Sequence, residues 1–173
     1  RVKAHAGGCR KKVQEVISDL GLHTVCESAR CPNLGECWHN KTATFMIMGN
    51  TCTRNCKFCA VDHGIPESLD EQEPFKIAKA VKEMGLKYVV ITSVTRDDLD
   101  DGGALHFAHV VDKIREVNGY DIPNGYLNFG HNRASLDLKK NKNPRRMGQL
   151  DRIKVELLTP DFDGDISALK TVL

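Results

Sequence analysis

No stretch of the chain approaches the roughly 20 consecutive apolar residues needed to cross a bilayer. The longest nearly uncharged stretches, such as residues 87–94, fall far short, so no membrane span is expected. Net charge is also small. Lys and Arg number 25 against 23 Asp and Glu, and the resulting +2 is too close to zero for a nucleic-acid-binding surface. Internal repeats and low-complexity segments are lacking. Position 1 is Arg rather than Met, and the first 20 residues hold no apolar run of the kind that forms the core of a secretory signal. The start therefore reads as trimmed, or as that of a fragment. What remains is 173 residues with 40% hydrophobic content, enough for one core.

Cysteine is the abnormal component. There are 7, and all but Cys9 fall between positions 26 and 59. A disulfide framework would spread an even number of cysteines through a short, loop-rich chain, whereas the flanking sequence here reads as ordinary α/β protein. Thiols packed this tightly in a reducing compartment usually hold metal. Cys52, Cys56 and Cys59 have the spacing C-x3-C-x2-C, short enough for one loop to fold three thiolates around a compact inorganic cluster. A four-iron cubane usually takes four cysteines, so three leave one iron open to an exogenous ligand. Phe58 would sit beside such a cluster, and Asn55 and the loop amides could hydrogen-bond its sulfurs. Cys26, Cys31 and Cys37 form a second trio, C-x4-C-x5-C. Zinc stays open as an alternative for both, in a metal-binding interaction module, with His23, His39 or His63 available to complete a Cys3His site. Cys9, alone on a helix, is given no role.

Apolar spacing predicts a helix over Cys9–Leu20, with Val13, Val16, Ile17 and Leu20 on one face and Gly21 as a stop. Residues 25–40, rich in Cys, Pro, Asn and Gly, read as an irregular loop. A first buried strand over Ala43–Met48 is expected to lead directly to Cys52. Next come an acidic loop, a helix opened by Pro74 with Ile77, Val81 and Met84 inward, and a second strand over Lys87–Thr92. A loop from Ser93 to Gly103 precedes a helix facing inward through Phe107, Val110, Val111, Ile114 and Val117. A third strand is expected at Ile153–Leu158, with a further helix from near Gly164. This alternation implies a parallel sheet with ligand sites at the carboxyl ends of its strands. Residues 119–152 break the rhythm as an inserted polar and basic loop. Its run Lys139–Arg146 lacks interleaved aromatics, which speaks against nucleic acid.

The strings LHTVCESARCPNLGECWHNKTATFMIMGNTCTRNCKFCAV, YVVITSVTRDDLDDGGALHF and KVELLTPDFDGD resemble the radical S-adenosylmethionine superfamily and, within it, the lipoyl synthase family. The resemblance covers residues 1–118 and 154–173. It implies a partial parallel (β/α) barrel of the radical S-adenosylmethionine type, with only the first half present. Residues 1–42 would supply an N-terminal helix and an auxiliary-cluster loop, and 43–118 the first half of the core. Residues 119–152 would be an insertion and 153–173 the continuation of the core, cut off.

By the same resemblance, Cys52, Cys56 and Cys59 hold the catalytic [4Fe-4S] cluster, which chelates S-adenosylmethionine and allows its reductive cleavage. Cys26, Cys31 and Cys37 hold a second [4Fe-4S] cluster that donates two sulfur atoms to C6 and C8 of octanoyl-lysine. The implied partners are octanoylated carrier domains, namely the E2 subunits of dehydrogenase complexes and the glycine cleavage H protein, together with a ferredoxin- or flavodoxin-type electron donor. The implied compartment is the cytoplasm, or the mitochondrial matrix or plastid in a eukaryote. A different sulfur-inserting radical enzyme is a further reading.

Ser93 and Asp97 are expected to contact the cofactor. The alternative is that Asp97, Asp98, Asp100 and Asp101 cap the following helix. Glu156 is ranked below the cysteines, since a strand carboxylate equally pairs with a neighbour. His106 and His109 are expected to be half-exposed surface residues, and Trp38 to pack over the second trio. With three strands and without the C-terminal Arg-Ser-Ser segment of the family, the isolated chain is expected to bind iron poorly and to lack turnover.

Overall fold

The computed structural model describes residues 8–118 and 153–172. The expected insertion and its basic run lie outside the described residues, as does the side chain of Cys9. The first helix, α1 (Gly8–Asp19), buries Val13 and Ile17 and ends where Gly21 turns left-handed at φ 61°. The amides of Gly21 and Leu22 then bond back to the carbonyls of Ser18 and Ile17, satisfying groups that the helix end would leave open.

A two-residue strand, β1 (His23–Thr24), follows, and then two short helices, α2 (Val25–Ser28) and α3 (Leu34–His39). The irregular loop expected here is thus corrected. Thr24 caps α2: its hydroxyl oxygen accepts from Glu27 N at 3.3 Å and its O–H donates to the Glu27 carboxylate at 3.0 Å. Both helices are too short to display a 3.6-residue period.

The main sheet has the order β1-β2-β5-β6, where β2 is Thr42–Ile47, β5 is Tyr88–Ser93 and β6 is Lys154–Leu158. The last three strands run parallel, as the alternation predicts, while β1 adds an antiparallel edge that periodicity did not reveal. Ala43, Phe45, Ile47, Val89 and Ile91 point to one buried face. Two helices supply the other half of this core: α4 (Glu73–Glu83) contributes Ile77 and Val81, and α5 (Ala104–Val117) contributes Phe107, Val110 and Ile114. The opposite sheet face carries the row Thr44, Val90 and Glu156, and Leu158 at the edge is 51% exposed.

Trp38 is only 1% exposed and belongs to this continuous apolar core. His106 corrects the expectation of a surface residue, being 7% exposed with Nε2 lying 2.6 Å from the equally buried Glu73 carboxyl group. His109 is exposed.

The first strand does not run on to Cys52. It stops at Ile47, and Met48 and Gly49 both take positive φ, 66° and 89°. The chain then starts a separate ribbon in which β3 (Thr51–Cys52) pairs in parallel with β4 (Asp62–His63). After β6, a short 3-10 turn at Phe162–Gly164 leads into α6 (Ile166–Val172). Phe162 meets Phe107 edge to face, with centroids 6.2 Å apart, which fastens the loop after β6 to α5.

Candidate functional site

The C-x3-C-x2-C loop begins on β3 beside the loop that leaves the carboxyl end of β5. Thr53 N donates to Thr95 O at 3.1 Å, so the loop is held to that strand end by its own backbone. Cys52 Sγ accepts from two backbone amides, Thr95 N at 3.3 Å and Arg54 N at 3.5 Å. Amide donors of this kind stabilise a thiolate and tune a metal bound to it. Cys56 and Cys59 are exposed and lie on a tight turn closed by Cys59 N to Cys56 O at 3.0 Å. All six described cysteines are free thiols.

Arg54, inside the loop, is gripped from two sides. Its Nε and Nη2 donate to Asp97 at 2.9 and 2.7 Å, and its Nη1 donates to both carboxylate oxygens of Asp161 at 3.1 and 3.0 Å. Three loops, one after each of β3, β5 and β6, therefore meet at a single guanidinium. Its hydrogen bonds hold both carboxyl groups below the usual carboxylate range. This clamp was not legible beforehand, because only nearness to Cys52 and Cys56 distinguishes Arg54 in the sequence.

Beside the clamp, a cavity of about 250 Å³ opens between Thr95, Arg96, Asp97, Gly102, Phe162 and Asp163. The expected aspartates divide by role. Asp101 accepts from Gly103 N and Leu105 N at 2.9 and 2.8 Å and so caps α5. Asp98 pairs with Arg96, Asp97 with Arg54, and Asp100 lines the cavity. The Ser93 hydroxyl is buried and finds no hydrogen-bond partner among the described residues, which leaves it a donor to offer. Phe58 is 93% exposed. Asn55 Nδ2 lies 3.2 Å from His63 Nε2 rather than at a sulfur. Glu156 pairs with the Tyr88 hydroxyl, a bond that pushes the phenol above its ordinary range.

The second trio is built by the short helices. Cys26 lies on α2, Cys37 on α3 and Cys31 on the turn between, where Cys31 N donates to Cys26 O at 3.0 Å. All three are half-buried. Burial first, then the nearby Cys26, Cys31 and Glu36, push the Cys37 thiol up. A thiol whose ionisation is opposed by its neighbours in this way suits a cationic inorganic centre, which would relieve the repulsion.

The donor sets thus fit iron-sulfur clusters in two respects: amide donors around Cys52 and mutual crowding around Cys37. Among the described residues no three His, Cys, Asp or Glu side chains converge at the spacing of one bound ion. The zinc alternative, which needs metal–sulfur distances of about 2.3 Å from such a group, draws no support from the geometry.

The chain is 44% identical over its whole length to the lipoyl synthase of Caldicellulosiruptor saccharolyticus, covering 50% of that protein. Over 94% of the chain it is 60% identical to the lipoyl synthase of Sulfolobus acidocaldarius and 47% identical to that of Rubrobacter xylanophilus, covering 46% and 41% of them. The chain spans about half the length of the curated relatives it matches. The Radical SAM superfamily profile matches residues 46–171, from within β2 through the cysteine loop, β5 and β6 to the last helix, and on that match the chain belongs to the radical SAM superfamily.

Proposed function

We propose that the protein is a lipoyl synthase that inserts sulfur at C6 and C8 of octanoyl-lysine on a carrier domain, yielding lipoyl-lysine. Membership of the superfamily implies a [4Fe-4S] cluster and S-adenosylmethionine. Cys52, Cys56 and Cys59 would hold that cluster, and Cys26, Cys31 and Cys37 an auxiliary one that is the source of the sulfur. When bound, cluster and S-adenosylmethionine supply a 5′-deoxyadenosyl radical able to take hydrogen from an unactivated carbon.

The chain's own residues bind, orient and exclude water around that chemistry. The amides of Arg54 and Thr95 donate to the Cys52 sulfur and orient it toward the cluster site. Ser93 offers its hydroxyl to the S-adenosylmethionine side, and Phe58 covers the cluster rim. Asp97, whose carboxylate is already engaged by Arg54 and Thr53, acts by fixing Arg54 rather than by gripping the ligand alone. The carrier partners would be E2-type lipoyl domains and H protein, the electron donor a ferredoxin or flavodoxin, and the compartment the cytoplasm. No helix among the described residues is long and apolar enough to cross a membrane.

The single observation that carries this reading is the pairing of two cysteine trios, one at the carboxyl end of the parallel sheet and one on the helices just before it. It is tested with a hybrid in which this chain replaces the matching segment of the Sulfolobus acidocaldarius relative. The hybrid is given S-adenosylmethionine, a strong reductant and an octanoylated carrier peptide under anaerobic conditions. Lipoyl product that disappears on Cys52→Ala is expected. Release of 5′-deoxyadenosine without lipoyl product would transfer the assignment to a different sulfur-inserting radical reaction.

A further inference from the structure

Four polar or charged side chains are buried among the described residues: Thr24, Glu73, Arg96 and His106. Thr24 caps α2, and the other three surround a single peptide segment. Met48 N donates to Glu73 Oε2 at 2.9 Å and Oε1 at 3.2 Å. His106 Nε2 lies 2.6 Å from that same Oε2. On the other side of the residue, Arg96 Nη1 donates to Met48 O at 3.4 Å while its Nε and Nη2 donate to Asp98 at 2.8 and 2.7 Å. The Met48 side chain lies over Gly103, where a Cβ would fall 2.2 Å from its sulfur.

Met48 is also where β2 ends and the chain turns, in a left-handed conformation that is rare for a non-glycine residue, toward the cysteine loop four positions on. Such a backbone persists only where its surroundings over-determine it. Here α4 supplies Glu73, α5 supplies His106 and Gly103 precedes it, and the loop after β5 supplies Arg96. Burying three ionisable groups to hold one peptide is costly unless its position matters.

We propose that Glu73, Arg96 and His106 are positioning residues for the radical reaction: by fixing Met48 they set the path of the loop that presents Cys52, Cys56 and Cys59. The proposal rests on the reading of those cysteines as ligands of the S-adenosylmethionine-binding cluster. Among the described residues no hydrogen bond or ion pair joins any of the three side chains to a cysteine, and their effect passes through the Met48 backbone. Glu73 is the centre, because a single carboxyl group engages both the Met48 amide and the His106 ring.

Hydrogen exchange on the whole cluster-free chain separates a local from a global effect. Glu73→Ala is expected to raise exchange across residues 49–59 on the order of tenfold, the scale set by leaving a buried N–H without an acceptor. Strand β5 is expected to exchange as in the wild type. Unchanged exchange in the loop, or an equal rise in β5, overturns the proposal. Should Glu73→Ala fail to fold, His106→Gln gives the same comparison with less disturbance, whereas Glu73→Gln, which keeps an oxygen for Met48 N, is expected to exchange as the wild type does.

In the iron-loaded hybrid of this chain with the Sulfolobus acidocaldarius relative, the change that S-adenosylmethionine causes in the electron paramagnetic resonance spectrum of the reduced cluster is expected to shrink in Glu73→Ala and to return in Glu73→Gln. The same change in every variant as in the wild type overturns the proposal. A wild-type hybrid that holds no iron would instead overturn the ligand reading, and the exchange comparison would still decide whether the network fixes the loop.

Discussion

Arg54 Nη2 lies 2.7 Å from Asp97 Oδ1, and this contact joins the middle of the cysteine loop to the loop leaving β5, residues 43 positions apart in the chain. Arg54 reaches Asp161 with its other nitrogen, so it bridges two carboxylates that would otherwise repel across the mouth of the sheet. The guanidinium is suited to this because its planar fork can serve two carboxylates at once, which a lysine ammonium cannot do with the same geometry.

Arg54→Lys is therefore expected to behave more like Arg54→Ala than like the wild type. Both should leave the melting temperature within a few degrees, since the pair is substantially exposed. Both should speed alkylation of Cys56 and Cys59 in the cluster-free chain, measured as the rate of thiol modification. Alkylation of Arg54→Lys at the wild-type rate would show that charge alone, without the fork, holds the loop.

Acid should loosen the same junction. Asp97 and Asp161 are held below the ordinary range chiefly by hydrogen bonds from Arg54, and Asp98 by those from Arg96. A carboxyl group whose folded value is depressed contributes stability that is present above its unfolded value, about 3.9, and lost as pH falls through the folded one. Urea midpoints of the wild type and Arg54→Ala are thus expected to differ by a constant amount at neutral pH and to converge below roughly pH 4. A difference that widens in acid would contradict this sign.

Gly103 combines a φ of 88° with a Cβ position 2.2 Å from Met48 Sδ. Gly103→Ala should destabilise the fold by about 1–3 kcal/mol through overpacking and left-handed strain. In a Met48→Ala background the steric part should vanish and a smaller penalty remain, which a double-mutant cycle by chemical denaturation would resolve.

Phe107→Ala removes a fully buried ring that contacts both the sheet-facing core and Phe162. A loss of about 3–5 kcal/mol is expected from denaturant unfolding. Phe107→Leu should cost less, because it keeps most of the volume while losing the edge-to-face contact.

The elements that apolar spacing could encode were readable in advance: α4, β5 and α5 each carry a full inward face, and β2 is a short apolar run. What escaped was set by partners distant in sequence or by elements too short for a period. The helices bearing Cys26 and Cys37 span 4 and 6 residues, yet the Thr24-x-x-Glu27 capping pattern was present as a signal. His106 read as a surface residue because its burial depends on Glu73, 33 positions earlier. The extension of the first strand to Cys52 failed at Met48, whose left-handed turn is imposed by tertiary contacts and not by its own side chain. Both cysteine trios stand out by spacing as candidate ligands, whereas Arg54 became notable only through Asp97 and Asp161.

The most direct test of the central claim is anaerobic reconstitution with iron and sulfide of the Sulfolobus acidocaldarius hybrid that carries this chain, followed by measurement of bound iron in the wild-type hybrid, in its Cys52, Cys56 and Cys59→Ala variant and in its Cys26, Cys31 and Cys37→Ala variant. Broad absorption near roughly 400 nm from iron–thiolate charge transfer, a partial loss of iron in each triple variant, and a response to S-adenosylmethionine that vanishes only in the first are the expected results. A colourless wild-type hybrid carrying zinc, or iron occupancy unaffected by the Cys52, Cys56 and Cys59 substitutions, would contradict it.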